Sequence, residues 1–133
     1  MAIRQPNQHP LDINKRVAVG VAIPFNADDV FKSNYTTTEQ IKSNLINFIL
    51  TNNGERIFNP NYGSNLRAYL FTNINEINLQ ALEMKLTNDI KNNFPNVNVS
   101  QLTLTPNYDS NSIGLNIVYS IYSSESQTIQ ILF

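Results

Sequence analysis

Apolar residues recur at helical spacing in two parts of the chain, which predicts two long helices. Thr36 and Glu39 have the spacing of a capping box at the start of the first helix. This helix would end near Asn52, and its buried stripe would consist of Ile41, Leu45, Phe48 and Ile49. Asn75 is placed to cap the second helix, which extends to about Asn92 and carries Leu79, Leu82, Leu86 and Ile90.

From Asn98 onward the period of the apolar residues changes to two, which is typical of half-buried strands. The first run contains Leu102 and Leu104 and is followed by a turn at 106–111, which begins with Pro106. The second run contains Ile113, Leu115, Ile117, Tyr119 and Ile121. A turn at 123–126 leads to the last run, Gln127–Phe133. We therefore predict an α+β domain, with two main helices packed on a three-stranded antiparallel sheet formed by the C-terminal third.

The N-terminal part of the chain is less regular. Residues 1–16 lack periodicity, so we expect a flexible arm that orders against a partner. Residues 17–133 are predicted to form a single domain. Within it, the apolar run Val17–Ile23 predicts a strand or a buried extended arm. Ser64 is placed to cap a short helix containing Leu66, Tyr69, Leu70 and Phe71.

Length and charge narrow the class of protein. A chain of 133 residues suits one small domain. Its 9 basic and 10 acidic residues give a net charge of −1, which argues against nucleic-acid binding through bulk phosphate neutralisation and against an anionic membrane surface. Because only 14% of residues are charged, little like-charge repulsion separates neighbours, as suits a subunit inside an assembly. An asparagine-rich composition is also typical of an AT-rich genome.

Few residues are available for catalytic or metal chemistry. The chain has no cysteine, which excludes disulfides and thiolate metal sites. His9 is the only histidine, so we expect neither an imidazole metal site nor a Ser–His pair. The glycines, at positions 20, 54, 63 and 114, are too far apart for a phosphate-binding loop. We therefore predict no cofactor. The polar start of the chain predicts no signal segment, and hence assembly in a cytoplasm.

The stretch Asn53–Gly63 carries more chemistry than a plain linker needs. Gly54 suits the left-handed residue beyond a helix end, and Ile57–Phe58 predicts a short extended piece. The Asn59–Pro60 pair is disfavoured in a helix, and residues 61–63 predict a turn. One interpretation is an ordered connection with solvated charges. The other is a binding loop that offers a partner Glu55, Arg56, Phe58, Pro60 and Tyr62.

The order of segments around this stretch points to a family. A helix is followed by Gly54-Glu55-Arg56, by apolar residues, by Asn59-Pro60-Asn61-Tyr62-Gly63 and then by Leu66. Upstream, Gly20–Phe25 resembles the "glycine, then Pro-Phe" segment of many members. From Gly20 to the C-terminus, this succession resembles the baseplate wedge family of contractile phage tails. That family is often called the gene-25-like lysozyme family, and it has a counterpart in type VI secretion baseplates.

The resemblance implies a structural, non-enzymatic subunit in the virion tail baseplate, present in multiple copies within a symmetric assembly. Its partners would be other wedge proteins and the contractile sheath subunit, whose arms add strands to the family's sheet. Many members carry a Glu-Pro-Arg triplet after the second long helix, thought to lock into neighbouring wedge proteins. Here the matching residues are Phe94-Pro95-Asn96. Phe94 and Pro95 would either pack against a partner or cap the helix within the domain, and the second role is favoured.

The last strand, Gln127–Phe133, has neither lysine nor proline to protect it. An unprotected apolar edge favours strand addition by a partner, and the residues offered would be Ile129, Ile131 and Phe133. The alternative is a central strand, or one covered by the N-terminal arm. What the family resemblance implies favours an edge that templates sheath assembly.

A cell-wall glycosidase that uses Glu55 is the alternative function. It needs a protonated carboxylic acid and a second carboxylate roughly 5 to 10 Å apart. Here the second carboxylate would be Asp109, Glu76 or Glu83. The adjacent Arg56 favours a charged carboxylate, and without tryptophan the sugar could stack only on Tyr62, Tyr69 or Tyr108. A third hypothesis is a regulatory adaptor that binds another protein by strand addition.

Overall fold

The described part of the chain is built from helices and antiparallel strands. The structure is a computed structural model that describes residues 12, 16–23, 32–70, 75–121 and 125–133. Its elements are β1 (Gly20–Val21), β2 (Ser33–Asn34), α1 (Thr37–Leu50), α2 (Leu66–Leu70), α3 (Glu76–Asn93), β3 (Val97–Asn107), β4 (Ser112–Ile121) and β5 (Gln127–Leu132). One antiparallel sheet pairs β1 with β2, and another has the order β3-β4-β5. The predicted α+β class, with a C-terminal three-stranded sheet, is confirmed.

The chain divides into two compact units, Met1–Asn47 and Phe48–Phe133, with the boundary inside α1. In the first unit a buried amide joins β2 to α1. The Nδ2 atom of Asn34 donates to Oε1 of Gln40 and to Oγ of Ser43, both at 3.0 Å. The expected arm at 1–16 and single domain at 17–133 stay predictions, because most of residues 1–16 lie outside the described residues.

The start of α1 differs in detail from the predicted capping box. The Thr36 hydroxyl accepts from the amide of Glu39 at 3.3 Å, as predicted. The Glu39 carboxylate, however, accepts from the amide of Tyr35 at 3.1 Å. Asp12 adds a cap that the sequence pattern did not reveal, because its carboxylate accepts from both the amide and the hydroxyl of Thr37 at 2.7 Å. A carboxylate satisfies these first amides and suits the positive end of the helix dipole.

Helix α3 begins and ends close to the predicted positions, but the expected Asn75 side-chain cap is absent. Asn75 has extended backbone angles and no side-chain cap hydrogen bond. At the other end, the Phe94 amide donates to the carbonyl of Ile90 at 2.8 Å, and the Val97 amide donates to the carbonyl of Phe94 at 3.0 Å. This tight corner leads the chain directly into β3. The buried side chains of α3 are Leu82, Leu86 and Ile90.

The register of β4 decides which backbone groups point out of the sheet. Ile113 and Phe133 exchange two backbone hydrogen bonds, of 3.2 and 2.9 Å. Because bonding directions alternate along an antiparallel strand, odd positions of β4 bond to β5 and even positions bond to β3. The odd positions are also the buried ones: Ile113, Leu115, Ile117, Tyr119 and Ile121. By the same alternation, Thr128, Gln130 and Leu132 of β5 point their backbone groups away from β4.

Two strand predictions were wrong in their extents. The first turn was expected to begin at Pro106, but β3 continues through Pro106 to Asn107. Pro106 is tolerated because it pairs with Ile113, so its nitrogen points to the outer edge and no ladder bond is lost. In the run Val17–Ile23, only Gly20–Val21 forms a strand.

Candidate functional site

The two ends of the loop at residues 51–64 are anchored by buried groups. The Ser64 hydroxyl donates to the carbonyl of Ile49 at 2.6 Å, and its amide donates to the carbonyl of Phe48 at 3.2 Å. The Ser64 hydroxyl also accepts from the Leu66 amide, the first of α2, at 3.3 Å, although Ser64 lies one residue before the N-cap position, which Asn65 occupies. Gly63 has φ of +120°, and a Cβ atom there would collide with the carbonyl of Thr51. In the sequence, the adjacent Gly63 and Ser64 are the feature from which this anchor can be recognised.

The middle of the loop is closed by backbone hydrogen bonds. The Gly54 amide donates to the carbonyl of Pro60 at 2.7 Å, and the Tyr62 amide donates to that of Asn59 at 3.1 Å. Gly54 has the predicted positive φ, at +88°, although α1 already ends at Leu50. Residues 57 and 58 form bends rather than the predicted extended piece. The closed frame therefore presents its apex to solvent.

The apex carries two large apolar side chains with almost no internal contact. Ile57 is 90% exposed, and Phe58 is fully exposed. Pro60, which was also predicted to contact a partner, is exposed on the returning branch. Apolar groups gain nothing from this placement in the isolated chain, because burying them is what lowers the free energy.

The neighbouring charged residues of the loop make separate contacts. The Glu55 carboxylate accepts from the side-chain amide of Asn52 at 2.9 Å. The Arg56 Cζ atom lies 3.8 Å from the centroid of the Tyr62 ring, a cation–π contact. Burial raises the pKa of the Tyr62 hydroxyl, and the positive charge of Arg56 opposes that rise. Among the described residues no ion pair joins Glu55 to Arg56, and each side chain instead makes one of these two contacts.

Phe48 brings two of the predicted segments together. Its ring contacts those of Tyr62 and Phe94 edge to face, with centroids 5.2 and 5.6 Å apart. Phe94 is thus half-buried within this unit, while Pro95 is exposed. The packing of Phe94 agrees with the favoured expectation of a corner that ends α3 inside the domain. Sequence reasoning assigned Phe48 to the core and missed that it joins the loop to this corner.

On β5 the side chains singled out from the sequence point inward. Ile129 is only 2% exposed, and Ile131 and Phe133 are half-buried. Leu132, on the other face, is 75% exposed. Within the sheet formed by the described residues, β5 is an edge strand, which excludes the central-strand alternative there. What β5 presents outward is therefore its backbone at Thr128, Gln130 and Leu132.

The opposite edge, formed by β3, is partly occupied. The Leu104 amide donates to the Oε1 atom of Glu83 in α3 at 2.8 Å. The Val97 amide donates to the carbonyl of Phe94, and Pro106 has no amide hydrogen. A register shift between Val99 and Gln101 interrupts the strand between these points.

The described residues contain little that resembles a catalytic or metal site. A groove of about 360 Å³ is lined by Tyr69, Asn78, Ala81, Leu82 and Lys85, without a carboxylate. In it, the Lys85 ammonium donates to the Tyr69 hydroxyl at 3.2 Å. Within the described ranges, no cluster of three or more His, Cys, Asp or Glu side chains could hold a metal ion. No helix described here is both long and apolar enough to cross a membrane.

Comparisons with known proteins agree on one family. The family model described as baseplate wedge protein gp25 matches residues 36–126. The baseplate wedge protein gp25 of Enterobacteria phage T4 is 26% identical over 91 residues, which cover 68% of this chain and 69% of that protein.

Two solved structures share the fold. A protein of Geobacter sulfurreducens described as a candidate tail lysozyme has a TM-score of 0.65 and 20% identity, covering 74% of this chain and 90% of its own. A chain of the anti-feeding prophage baseplate has a TM-score of 0.54 and 18% identity, and the match covers 84% of this chain and 81% of that chain. At these identities the structures support the fold alone. Because the family model spans more than half of its residues, the chain belongs to the baseplate wedge protein gp25 family.

Proposed function

We propose that this protein docks to other baseplate wedge proteins and templates sheath assembly by offering an edge of its sheet, without acting as an enzyme. Membership of the family gives it a structural role in the virion tail baseplate. The observation that carries the templating part is the outer edge of β5. Thr128, Gln130 and Leu132 point outward in succession, on a strand that contains no charged residue. Such an edge is a template for strand addition by the contractile sheath subunit.

The loop supports the docking part of the proposal. Its ends are anchored in buried backbone, so ordering it on binding costs little conformational entropy. Its apex exposes Ile57 and Phe58, and exposed aromatic side chains on a rigid frame are typical of interface centres. Arg56 and Glu55 lie beside them as polar groups for the rim. Pro60 and Tyr62 on the returning branch, and the exposed Pro95 with the half-buried Phe94, complete the proposed wedge-binding surface.

The templating proposal is tested by mixing the purified protein with the contractile sheath subunit from the same genome. Electron microscopy and co-sedimentation report whether sheath growth is seeded. The informative variant is Gln130→Pro, which removes one outward amide and places a ring on the open edge. Its neighbours Ile129 and Ile131 keep their ladder positions opposite β4. The matched control is Gln130→Ala, which removes the same side chain and keeps the amide.

We expect the unchanged protein and Gln130→Ala to seed sheath growth and Gln130→Pro to fail, with all three equally folded by circular dichroism. Equal seeding by the three proteins would contradict strand addition at β5. Absence of seeding by the unchanged protein, when a reconstituted wedge is also supplied, would contradict templating altogether.

The glycosidase alternative is tested at Glu55. A general acid of this class is held protonated by an apolar pocket, whereas Glu55 is exposed and accepts from Asn52. We expect no murein hydrolysis by the unchanged protein and normal seeding by Glu55→Gln. Hydrolysis that disappears in Glu55→Gln would instead support an enzyme.

A further inference from the structure

The sheet has two outer edges, and strand addition could in principle use either. The β5 edge offers the backbone groups of Thr128, Gln130 and Leu132 in an unbroken repeat of two residues. Among the described residues, no hydrogen bond is formed by these outward amides. A strand added there could form several ladder bonds in succession.

The β3 edge lacks such an unbroken repeat. Leu104 lies opposite Leu115, an odd position of β4 that bonds to β5, so the Leu104 amide points outward. That amide already donates to the Glu83 carboxylate at 2.8 Å, and a carboxylate acceptor forms a stronger hydrogen bond than the carbonyl of an incoming strand would. Pro106, two residues further along, has no amide hydrogen. Of the remaining outward positions, Leu102 and Val99 are separated by the register shift between Val99 and Gln101, so they do not continue an even repeat.

We infer that Glu83 closes the β3 edge, so that strand addition is directed to β5. This inference rests on the proposed function and deepens it by naming the receiving edge and the positioning residue. The occupant is an extended segment of the contractile sheath subunit. It pairs with the outward backbone groups of Thr128, Gln130 and Leu132. Strand β5 carries no charged side chain, so the incoming strand needs no oppositely charged residue to pair with it. One sheet then receives one strand, which fixes the orientation of the arriving subunit.

The first test measures amide hydrogen exchange in the full chain and does not involve the sheath. We expect the Leu104 amide to exchange roughly ten- to a hundred-fold faster in Glu83→Ala, since a hydrogen bond to a charged acceptor is lost. Glu83→Gln retains an acceptor oxygen and should give intermediate protection. Asp89→Ala removes an acidic side chain from the same helix and should leave the Leu104 amide unchanged. Rapid exchange of Leu104 in the unchanged protein would overturn the closure of β3 by Glu83.

The second test locates the added strand. Because the chain has no cysteine, single cysteines at Gln130 and at Thr105 can each carry a short photo-crosslinker. Both positions are exposed, one on each edge strand. We expect cross-links to the sheath subunit from position 130 only, and additional cross-links from position 105 when Glu83→Ala is introduced. Cross-links from position 105 alone, with Glu83 intact, would overturn the inference and leave templating in place.

The proposed templating function and the closure of β3 by Glu83 can be overturned by different results. If the sheath subunit binds but neither position cross-links, a sheet edge is not the contact, and both templating by strand addition and the edge assignment are overturned. If the sheath subunit does not bind at all, the proposed function fails, and the exchange measurement alone decides whether Glu83 closes β3.

Discussion

The loop at residues 51–64 and the sheet β3–β5 are both ordered, but their order has opposite sources. The loop is fixed by backbone hydrogen bonds at its base, while Ile57 and Phe58 at its apex contact almost nothing. The sheet is fixed by buried side chains on one face, while its outward backbone at β5 has no hydrogen-bond partner among the described residues. The loop is therefore stabilised by backbone hydrogen bonds and exposes side chains, whereas the sheet is stabilised by buried side chains and exposes backbone groups.

This difference separates stability from function in a testable way. In the loop, changes at the base should affect folding and changes at the apex should affect binding. In the sheet, changes at inward side chains should affect folding and changes at outward backbone groups should affect binding. Mutations of the two kinds are expected to act independently, because their contacts do not overlap.

The largest expected effect is at the base of the loop. Gly63→Ala would place a Cβ atom against the Thr51 carbonyl at a backbone φ of +120°. We expect the free energy of unfolding to fall by about 3 kcal/mol, measured by urea denaturation. The matched control is Gly54→Ala, where φ is +88° and nothing lies within 4 Å. Strain alone should then cost about 1 kcal/mol. Equal losses in the two variants would show that the contact with Thr51 does not anchor the loop.

The next effect tests the interior of the sheet through pH. Burial raises the pKa of the Tyr119 hydroxyl from 10.0 to about 12. The unfolded chain therefore releases this proton first, and stability that is complete below pH 10 is lost as pH rises towards 12. The loss should reach roughly 2–3 kcal/mol. Chemical denaturation across this range measures it.

The control for the pH effect is Tyr119→Phe, which should remove the alkaline loss that this residue causes. Its hydroxyl is buried without a hydrogen-bond partner in the described structure, so Tyr119→Phe should also be neutral or stabilising by up to about 1 kcal/mol at pH 7. An unchanged pH profile in Tyr119→Phe would show that other groups cause the alkaline loss.

A smaller effect is expected on the returning branch of the loop. Arg56→Ala removes the cation–π contact with Tyr62 and should lower stability by about 0.5–1 kcal/mol. It also removes the positive charge that opposes the rise in the Tyr62 pKa, so the pKa should rise further, as ultraviolet titration can measure. Arg56→Lys keeps the charge and should give a smaller change in both quantities. A fall in the Tyr62 pKa in Arg56→Ala would contradict this contact.

The sequence predicted the sheet better than the loop, for a physical reason. Alternation from Ile113 to Ile121 follows directly from one buried face, so β4 and the fold class could be predicted and are confirmed. The Glu83–Leu104 contact could not be predicted, because it depends on how far α3 lies from the edge of β3. The family and its place in the virion tail baseplate were predicted from the segments around Gly54–Gly63 and are confirmed.

Within the loop, sequence indicated where the chain turns but not what each side chain contacts. The positive φ at Gly54 follows from local residue preferences, whereas the turn predicted at 61–63 lies two residues earlier, at Asn59–Tyr62. Glu55 and Arg56 are adjacent in sequence, yet their partners were decided by the path of the loop, which brings Tyr62 under Arg56. Local patterns do not contain that path.

The smallest expected effect on stability is at the apex, and it separates the two regions most sharply. The double variant Ile57→Ser and Phe58→Ser removes two side chains that are almost fully exposed, so the free energy of unfolding should change by less than about 0.5 kcal/mol. We expect incorporation into reconstituted wedges to fall strongly while cross-linking to the sheath from position 130 is unaffected. The matched control is Ile77→Ser, at another exposed apolar residue, which lies on α3. If the double variant unfolded the chain, or if Ile77→Ser impaired incorporation equally, the apex would not be a specific docking surface, and the opposition between base and apex would no longer hold.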